Sequence, residues 1–384
     1  MVLKSLDAGE NAFFLGLPEA YFTVHEKTDF QEGKVQNSWN NENEEINESK
    51  LLVREASEKY ISYLEAAADQ YMDALKYIER RCTKQDEDTD SIYQELTVLS
   101  DSMLQVCEQF EDFVNDEAAI KAAQVAFRDK TEPIISKSYG ASRVRTWPQG
   151  YQGDYKTIEF IYRNTPMSEG IGYYIDKYVL SATLAVGVRE RMRKLAELLK
   201  TEMTNRQHPK VLDIACGSCR ELHEIVPEIE KARAHFKCID LDSDALDFAL
   251  NRLSYAGLSA DRAEFIQYNA LRMFDYETAA SAFGMQDIIY SVGYFDYLAD
   301  DFLMKLLRTL YMLLNPGGKL IAAFKDANRY RSQLYHWFAD WDGFLQRTDD
   351  DFVRLFRRAE IPSSALTMTR VKSGSIIFYI ATKH

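Results

Sequence analysis

The stretch Val211-Leu-Asp-Ile-Ala-Cys-Gly-Ser-Cys-Arg-Glu221 decides the fold of this chain of 384 residues. It begins as the apolar run of a buried strand and continues as a glycine turn that leads into a helix. Gly217 permits positive φ and has no Cβ, so backbone N–H groups of the turn can approach a ligand closely. Ligands of open parallel sheets bind outside the carboxyl ends of the strands. We therefore expect a ligand at this turn.

Short apolar strands alternate with helical patterns in the second half of the chain, which indicates a parallel sheet with helices on both faces. The last two strands are separated only by residues 372–374, so they should form an antiparallel hairpin. The predicted strands are Lys210–Ala215, His235–Leu241, Ala263–Tyr268, Asp287–Val292, Lys319–Phe324, Ala365–Val371 and Ser375–Thr382.

The turn and the acids near it indicate which ligand binds. A dinucleotide fingerprint needs three glycines, and this turn has only Gly217, so pyrophosphate is the weaker interpretation. Asp213 suits a cationic amino-acid end, and Asp240 follows at close to the spacing of about 20 residues at which an acid meets a ribose diol. Asp242 is either its helper or the N-cap of the next helix. These features favour S-adenosylmethionine.

Further residues complete the predicted cofactor site. Asn269 follows the third strand, where such folds contact adenine, and would accept a hydrogen bond from its amine. Glu221 would hold the turn. The predicted cofactor-binding residues are Asp213, Ala215, Gly217, Glu221, Asp240, Leu241, Asn269, Ala270 and Ser291.

The N-terminal half is dominated by helical patterns. Apolar stripes at steps of three and four predict helices over residues 51–81, from Ser91 to Phe113, and over 117–130, ending before Pro133. Such stripes are typical of core packing or of a dimer seam. The expected domains are a partly flexible segment 1–50, an all-α helical bundle 51–132, lid and linker helices 133–200, and the cofactor-binding domain 201–384.

Composition excludes several classes of function. The net charge of −14 disfavours binding to nucleic acid, and no stretch approaches the length of a membrane span. The first 18 residues lack a signal-peptide pattern, and five cysteines do not suggest a disulfide framework, so a cytoplasmic protein is expected. Cys216 and Cys219 form a C-x-x-C, but no second Cys or His pair accompanies it, so no metal is expected.

Four segments of the chain resemble the bacterial class I methyltransferases typified by the 3-hydroxypalmitic acid methyl ester synthase of extracellular-factor biosynthesis. They are Thr146-Trp-Pro-Gln-Gly-Tyr-Gln-Gly-Asp154 with Ile161-Tyr162, Ala215-Cys-Gly-Ser-Cys-Arg-Glu221, Tyr294-Phe-Asp-Tyr-Leu-Ala-Asp300, and Ala339-Asp-Trp341 with Gln346-Arg347. Two positions depart from that family: Trp147 replaces a basic residue, and Cys219 stands where a small one is common.

The resemblance implies an α/β class I methyltransferase (Rossmann-like) sheet with a C-terminal hairpin, S-adenosylmethionine as cofactor, and methyl transfer to oxygen, a carboxylate included. Methyl transfer requires mainly that acceptor and methyl group be held in line, and a carboxylate needs no general base. Residues 150–154 would close over the cofactor as a lid or form a tight structural turn. The catalytic candidates are Tyr151, Asp154 and Tyr294, and the substrate-binding candidates are Tyr155, Arg163, Tyr290, Trp337 and Trp341.

Alternatives remain open on the sequence alone. The acceptor is expected to be a small molecule, either fatty-acid-like or a natural product, and the same cofactor site would serve a small-molecule N-methyltransferase. A catalytically silent scaffold with this fold is the alternative outside enzymes, although Asp213, Gly217 and Asp240 are all present. A homodimer through the long helices is a further expectation.

Overall fold

The computed structural model describes residues 41–82 and 89–384, with side chains from residue 59 onward. The chain forms two compact, interleaved units. The helical unit comprises the N-terminal part up to Ser142 together with Pro166–Tyr178 and Gln333–Asp340. The sheet unit comprises Arg143–Thr165, Val179–Ser332 and Trp341–His384. The predicted flexible segment 1–50 lies outside the described residues except for its last ten positions.

The helices before the sheet are α1 (Asn41–Arg81), α2 (Thr89–Val114), α3 (Glu117–Ile135), α4 (Tyr139–Thr146), α5 (Tyr155–Arg163), α6 (Ile171–Ser181) and α7 (Thr183–Thr204). Two boundaries differ from the sequence prediction. Helix α1 already begins at Asn41, inside the stretch expected to be mobile, and α3 continues through Pro133. A proline in the last turn removes only one bond of the helix ladder, which the remaining contacts outweigh.

Aromatic side chains form the core of the helical unit. Tyr71 from α1 lies 6.1 Å from Phe127 of α3, between ring centroids. Trp337, from the segment Gln333–Asp340, packs edge-on against Phe127 and against Phe110 of α2. This segment therefore completes a core that the N-terminal helices begin.

The sheet unit continues with β1 (Lys210–Ile214), α8 (Arg220–His223), α9 (Val226–Ala232), β2 (His235–Asp240), α10 (Ser243–Tyr255), β3 (Ala263–Gln267), α11 (Tyr276–Phe283), β4 (Gln286–Val292), α12 (Asp300–Met312), β5 (Leu314–Lys325), α13 (Asp349–Arg358), β6 (Leu366–Arg370) and β7 (Ile376–Thr382). Short 3-10 turns cover Ala270–Phe274 and Phe295–Tyr297.

The seven strands form one sheet in the order β3-β2-β1-β4-β5-β7-β6. The first five are parallel, and β7 pairs antiparallel with both β5 and β6. The central strand β1 is buried along Val211–Ile214, as expected for a strand covered on both faces. This order, with its antiparallel tail, confirms the predicted class I methyltransferase sheet and places the end of β1 at the switch point where such sheets bind ligands.

No helix within the described ranges has the length and apolar character that crossing a bilayer requires.

Candidate functional site

The turn after β1 has an alternating backbone. Ala215, Gly217 and Cys219 all have φ near +50°, between 48° and 56°. Only glycine adopts this region without cost, so the two side-chain-bearing residues are held there by the surrounding structure. The Cys216 N–H donates to the carbonyl of Ile239 and the Cys219 N–H to that of Cys216, at 3.0 and 3.1 Å. The turn is thus rigidly shaped before any ligand arrives.

Asp240 joins the end of β2 to this turn. One oxygen accepts the Gly217 N–H at 2.8 Å and the other accepts the Asp242 N–H at 3.0 Å. Burial raises the pKa of Asp240. Asp242 is the N-cap of α10, since its carboxylate accepts the N–H groups of Asp244 and Ala245. The structure therefore shows the capping role for Asp242, one of the two that the sequence left open.

Asp213 lies one strand away and is buried, with 2% of its surface exposed. Its strand neighbours are Cys238 on β2 and Tyr290 on β4, both directly opposite in register. The Tyr290 hydroxyl donates to Glu221 at 3.1 Å. Burial is the main cause that raises the pKa of Glu221 to about 7 and that also raises the pKa of Asp213. Tyr290, predicted to bind substrate, instead supports Glu221 from within the sheet.

The loop Gly150–Asp154 lies against the glycine turn and the aromatic side chains near it. The Tyr151 hydroxyl donates to Asp242 at 2.8 Å, and the Cβ of Tyr155 lies 4.0 Å from the position that a Cβ on Gly217 would occupy. A Cβ on Gly153 would stand 2.9 Å from the Tyr297 hydroxyl, so only glycine fits there. The loop Gly150–Asp154 therefore lies next to the glycine turn that follows β1.

Asp154 caps helix α5. Its carboxylate accepts the N–H groups of Lys156 and Thr157 and the Thr157 hydroxyl, and it pairs with Arg143 at 2.5 Å. It is 1% exposed. These contacts show that Asp154 stabilises the loop and the start of α5, and its predicted catalytic role stays a prediction.

Aromatic side chains line the segment after β4. The Trp341 indole N–H donates to the Tyr297 hydroxyl at 2.7 Å. Lys325, at the end of β5, pairs with Asp296 at 2.6 Å inside the protein, and its ammonium lies over the rings of Tyr297 and Phe344. Burial and the nearby Asp240 raise the pKa of Tyr294 to about 12.

The remaining predicted site residues differ in burial and in the contacts that they make. Ser291 is buried and donates to the carbonyl of Ile214, which ties β4 to β1. Asn269 is exposed and accepts the Leu271 N–H as the cap of a 3-10 turn, with Ala270 buried behind it. Leu241 is 65% exposed, after β2. Arg163 is exposed in the last turn of α5.

Trp337 belongs to the core of the helical unit. It has no exposed surface, and its indole N–H donates to Glu111 at 2.7 Å. Core packing therefore accounts for the burial of Trp337, and its predicted substrate-binding role stays a prediction.

Sequence reasoning missed an ion pair that holds α5 to the glycine turn. Both terminal nitrogens of the Arg252 guanidinium, from α10, donate to the Glu159 carboxylate, at 2.6 and 2.5 Å. The Ser218 hydroxyl donates to the same carboxylate at 2.7 Å, and Arg252 also donates to the Ser218 carbonyl. Hydrogen bonds from Arg252 and Ser218 outweigh burial and lower the pKa of Glu159. No local motif signals a pair so distant in sequence.

Arg191 of α7 is the second residue that the sequence did not reveal. It is 4% exposed, and its guanidinium would stand 2.8 Å from a Cβ on Gly293, directly after β4. Its Nε has no hydrogen-bond partner, and among the described residues no carboxylate forms an ion pair with it. Burial raises the pKa of Tyr162, and the nearby charge of Arg191 partly offsets this. The same charge partly offsets the burial that raises the pKa of Glu221, but no carboxylate in the described part of the chain contacts the guanidinium directly, so a bound anion would stabilise it.

Two thiols and a carboxylate also converge at the glycine turn. Cys219, Cys238 and Asp213 place one ligand atom each within 4.8 Å of one another. Hydrogen bonds from Cys216 and Cys238 lower the pKa of Cys219 to about 5. The sequence singled out the C-x-x-C alone, because only the pairing of β1 with β2 brings Cys238 to it.

The donors around the turn fit S-adenosylmethionine better than a dinucleotide. Gly217 leaves its Cβ position open, with Tyr155 at van der Waals distance, and carboxylates stand at the ends of β1 and β2. Asp213 can receive a cationic amino-acid end and Asp240 a ribose diol, since each carboxylate oxygen has two lone pairs.

Comparison with known proteins agrees with this assignment. Residues 212–320 match the family model described as a methyltransferase domain. This part of the chain is similar to methyltransferase domains. No curated protein matches the sequence significantly.

Several solved structures resemble the chain weakly. A possible exported protein from Bordetella parapertussis is 15% identical over 83% of this chain and 96% of its own, with a TM-score of 0.47. An O-methyltransferase family protein from Burkholderia thailandensis is 15% identical, covering 52% and 59%, with a TM-score of 0.40. Magnesium protoporphyrin IX methyltransferase from Synechocystis, with bound S-adenosylhomocysteine, is 12% identical, covering 53% and 86%, with a TM-score of 0.40.

Proposed function

We propose that this chain transfers the methyl group of S-adenosylmethionine to the carboxylate of a small acid. The observation that carries the proposal is the buried guanidinium of Arg191 beside Gly293. Acceptors of this fold meet the cofactor at the carboxyl ends of the central strands, and Gly293 directly follows β4. Arginine is the side chain best suited to receive a carboxylate, through two parallel hydrogen bonds.

The chemistry fits an acid that is already ionised. A carboxylate is deprotonated near neutral pH, so no general base has to remove a proton before attack on the methyl carbon. The oxygen displaces the sulfonium in line, and both charges disappear as the ester and the thioether form. The neutral ester no longer pairs with Arg191, which favours release of product.

Aromatic side chains would provide the walls of the acceptor site. Tyr151, Tyr294 and Trp341 lie on the loop and strand ends described above, and they suit an acyl chain or a ring. The sequence resemblance to the 3-hydroxypalmitic acid methyl ester synthase family makes 3-hydroxy fatty acids the first acceptors to test. Asp213, Gly217 and Asp240 are the residues that support the proposed binding of S-adenosylmethionine.

The test is a screen of the full chain with S-adenosylmethionine and matched acceptors. Fatty acids and 3-hydroxy acids are compared with amines and alcohols of equal chain length, and products are detected by mass spectrometry. We expect methyl esters of acids. Methylated amines without esters would favour an N-methyltransferase, and cofactor binding without any product would favour a silent scaffold.

A substitution at Arg191 separates acceptor binding from cofactor binding. We expect Arg191→Met to raise the acceptor KM about 100-fold, the loss of a charged hydrogen-bond pair, while affinity for S-adenosylhomocysteine stays unchanged. The matched control is Arg193→Met, which removes an exposed arginine from the same helix. An unchanged KM in Arg191→Met would contradict the role of this residue.

A further inference from the structure

A second cluster of chemically active side chains lies directly below the glycine turn. Asp213 is on β1, Cys216 and Cys219 are in the turn, and Cys238 is on β2. Asp213 and Cys238 face each other in the parallel register of these two strands, which puts their side chains on the same face of the sheet. The Cys219 N–H donates to the Cys216 carbonyl at 3.1 Å, and the Cys219 thiol donates to the Asp213 carboxylate at 3.9 Å.

The distances within the cluster are those of metal ligands. One oxygen of Asp213 and the sulfurs of Cys219 and Cys238 all lie within 4.8 Å of one another, and the Cys219 sulfur is 3.9 Å from the Asp213 oxygen. In a tetrahedral zinc site, bond lengths of about 2.3 Å to sulfur and about 2.1 Å to oxygen separate neighbouring ligands by roughly 3.5–3.8 Å. The three ligand atoms therefore need only a small contraction.

Cys216, in the same turn, is the candidate for a fourth donor. Its thiol donates to the Gly217 carbonyl at 3.9 Å in this structure, so it would have to turn toward the other three ligands to join them. Cys216 is also the most exposed of the four residues, at 8%, while Cys219 and Cys238 have no exposed surface. Asp213, Cys219 and Cys238 supply three of the four ligands that structural zinc sites use, and Cys216 would supply the fourth.

Burial makes a cation favourable at this place. Asp213 is 2% exposed, and no lysine, arginine or histidine of the described chain forms an ion pair with it. A buried acid is stable only with a proton or a positive partner. Thiolates favour zinc and other thiophilic divalent ions over magnesium or calcium, which prefer oxygen ligands alone.

We propose that Asp213, Cys216, Cys219 and Cys238 form a binding site for a thiophilic divalent cation, with Zn²⁺ as the fitting ion. The site lies below the turn, and its carboxylate is the group that we assign to the cationic end of the cofactor. Metal and cofactor therefore compete for Asp213. Binding of metal by the cluster does not depend on the proposed methyl transfer.

The test is titration of the full, reduced chain with Co²⁺, a spectroscopic substitute for Zn²⁺. We expect one equivalent to bind, with a thiolate-to-cobalt charge-transfer band in the near ultraviolet and the visible bands of tetrahedral cobalt. Zn²⁺ should displace the cobalt and abolish both signals. A spectrum without a thiolate band at stoichiometric cobalt would overturn the proposal.

Substitutions locate the site. Cys219→Ser and Cys238→Ser should each weaken Co²⁺ binding about 100-fold, because one of four ligands is lost. Cys82→Ser is the matched control, since Cys82 lies at the end of α1, outside the cluster, and should leave the spectrum unchanged. Asp213→Asn, close in shape to the original residue, repeats the test if a serine variant does not fold. A thiolate band that survives in the cluster variants but disappears in Cys82→Ser would contradict the assignment.

Competition is measured separately from metal binding. Excess S-adenosylhomocysteine should lower the apparent affinity for Co²⁺ if both ligands use Asp213. If the chain binds cobalt but not S-adenosylhomocysteine, the metal site stands and the proposed methyltransferase activity fails. If the chain binds S-adenosylhomocysteine and shows no thiolate–cobalt band, the metal site fails and the cofactor site stands.

Discussion

Asp213 and Asp240 lie near the carboxyl ends of adjacent strands, yet their surroundings differ. Asp240 receives two backbone N–H groups from the turn and from the start of the α10 cap, so it is both a ligand candidate and a brace for the turn. Asp213 has no backbone donor among its hydrogen bonds and lies beside thiols. The surroundings of Asp240 suit a neutral ribose diol, and those of Asp213 suit a cation.

Asp240→Ala should weaken binding of S-adenosylhomocysteine at least about tenfold, since it removes hydrogen bonds to the ribose and the anchor of Gly217. Isothermal titration calorimetry measures the loss. Asp247→Ala is the control, because it removes an exposed acid from α10 and changes the net charge equally. Equal affinities in the two variants would show that the nucleoside lies elsewhere.

The free energy of unfolding should fall as pH rises, because the folded protein binds the Glu221 proton more tightly than the unfolded chain does. Its pKa in the folded chain is about 7 against an ordinary value of 4.5, so the folded state holds the proton more tightly than the unfolded state. The stabilisation is complete below about pH 4.5 and is lost as the pH rises through about 7. Glu221→Gln cannot ionise and still accepts the hydrogen bond from Tyr290.

Thermal unfolding midpoints measured across this range test the point. The midpoint of the wild type should fall as pH rises from about 5 to about 8, and that of Glu221→Gln should fall distinctly less. Parallel curves for the two proteins would assign the pH dependence to other groups, such as Asp213.

At the scale of elements, the pair between Glu159 and Arg252 joins helices α5 and α10 to the glycine turn. Arg252→Met leaves the buried Glu159 carboxylate without its ion-pair partner and should cost about 3 kcal/mol of unfolding free energy. The double variant Arg252→Met/Glu159→Gln should be less destabilised than the single one, because no charge is then left unpaired. Urea unfolding of the wild type, the two single variants Arg252→Met and Glu159→Gln, and the double variant completes a double-mutant cycle.

The same variants should also bind S-adenosylhomocysteine more weakly, since Ser218 in the turn depends on both partners. Additive free energies in the cycle, or an affinity equal to that of the wild type, would show that α5 does not order the turn.

Elements with local signals could be predicted from the sequence, and those that depend on distant contacts could not. The strands, the glycine turn and the C-terminal hairpin follow from apolar runs and turn residues near one another in the chain. The continuation of α3 through Pro133 was missed because tertiary packing outweighs a local breaker. Arg191 and Cys238 were missed as site residues because only strand pairing and helix packing bring them to the turn.

At the scale of the whole molecule, the chain passes between its two units several times. After β5 it contributes Gln333–Asp340 to the helical unit and then returns to the sheet unit at Trp341. Trp337 belongs to the helical unit and Trp341 to the sheet unit, so these two tryptophans have different surroundings although they are only four positions apart. Trp341 contacts Tyr297, and Trp337 contacts Phe110 and Phe127.

Trp337→Ala should destabilise the helical unit by about 3–5 kcal/mol, as expected when a large buried side chain is removed. Cofactor affinity should be unchanged, because every residue that we assign to the cofactor lies in the sheet unit. Urea unfolding and calorimetry with S-adenosylhomocysteine give the two readouts. A large loss of affinity with intact stability would support the ligand role that the sequence suggested for Trp337.

The central claim is that the end of β1 is a site for S-adenosylmethionine, and the most direct measurement is calorimetric titration of the full chain with S-adenosylhomocysteine. The product is used because it binds without turning over. We predict one site per chain with micromolar affinity. No heat of binding at millimolar ligand, with the protein folded and reduced, would contradict the account.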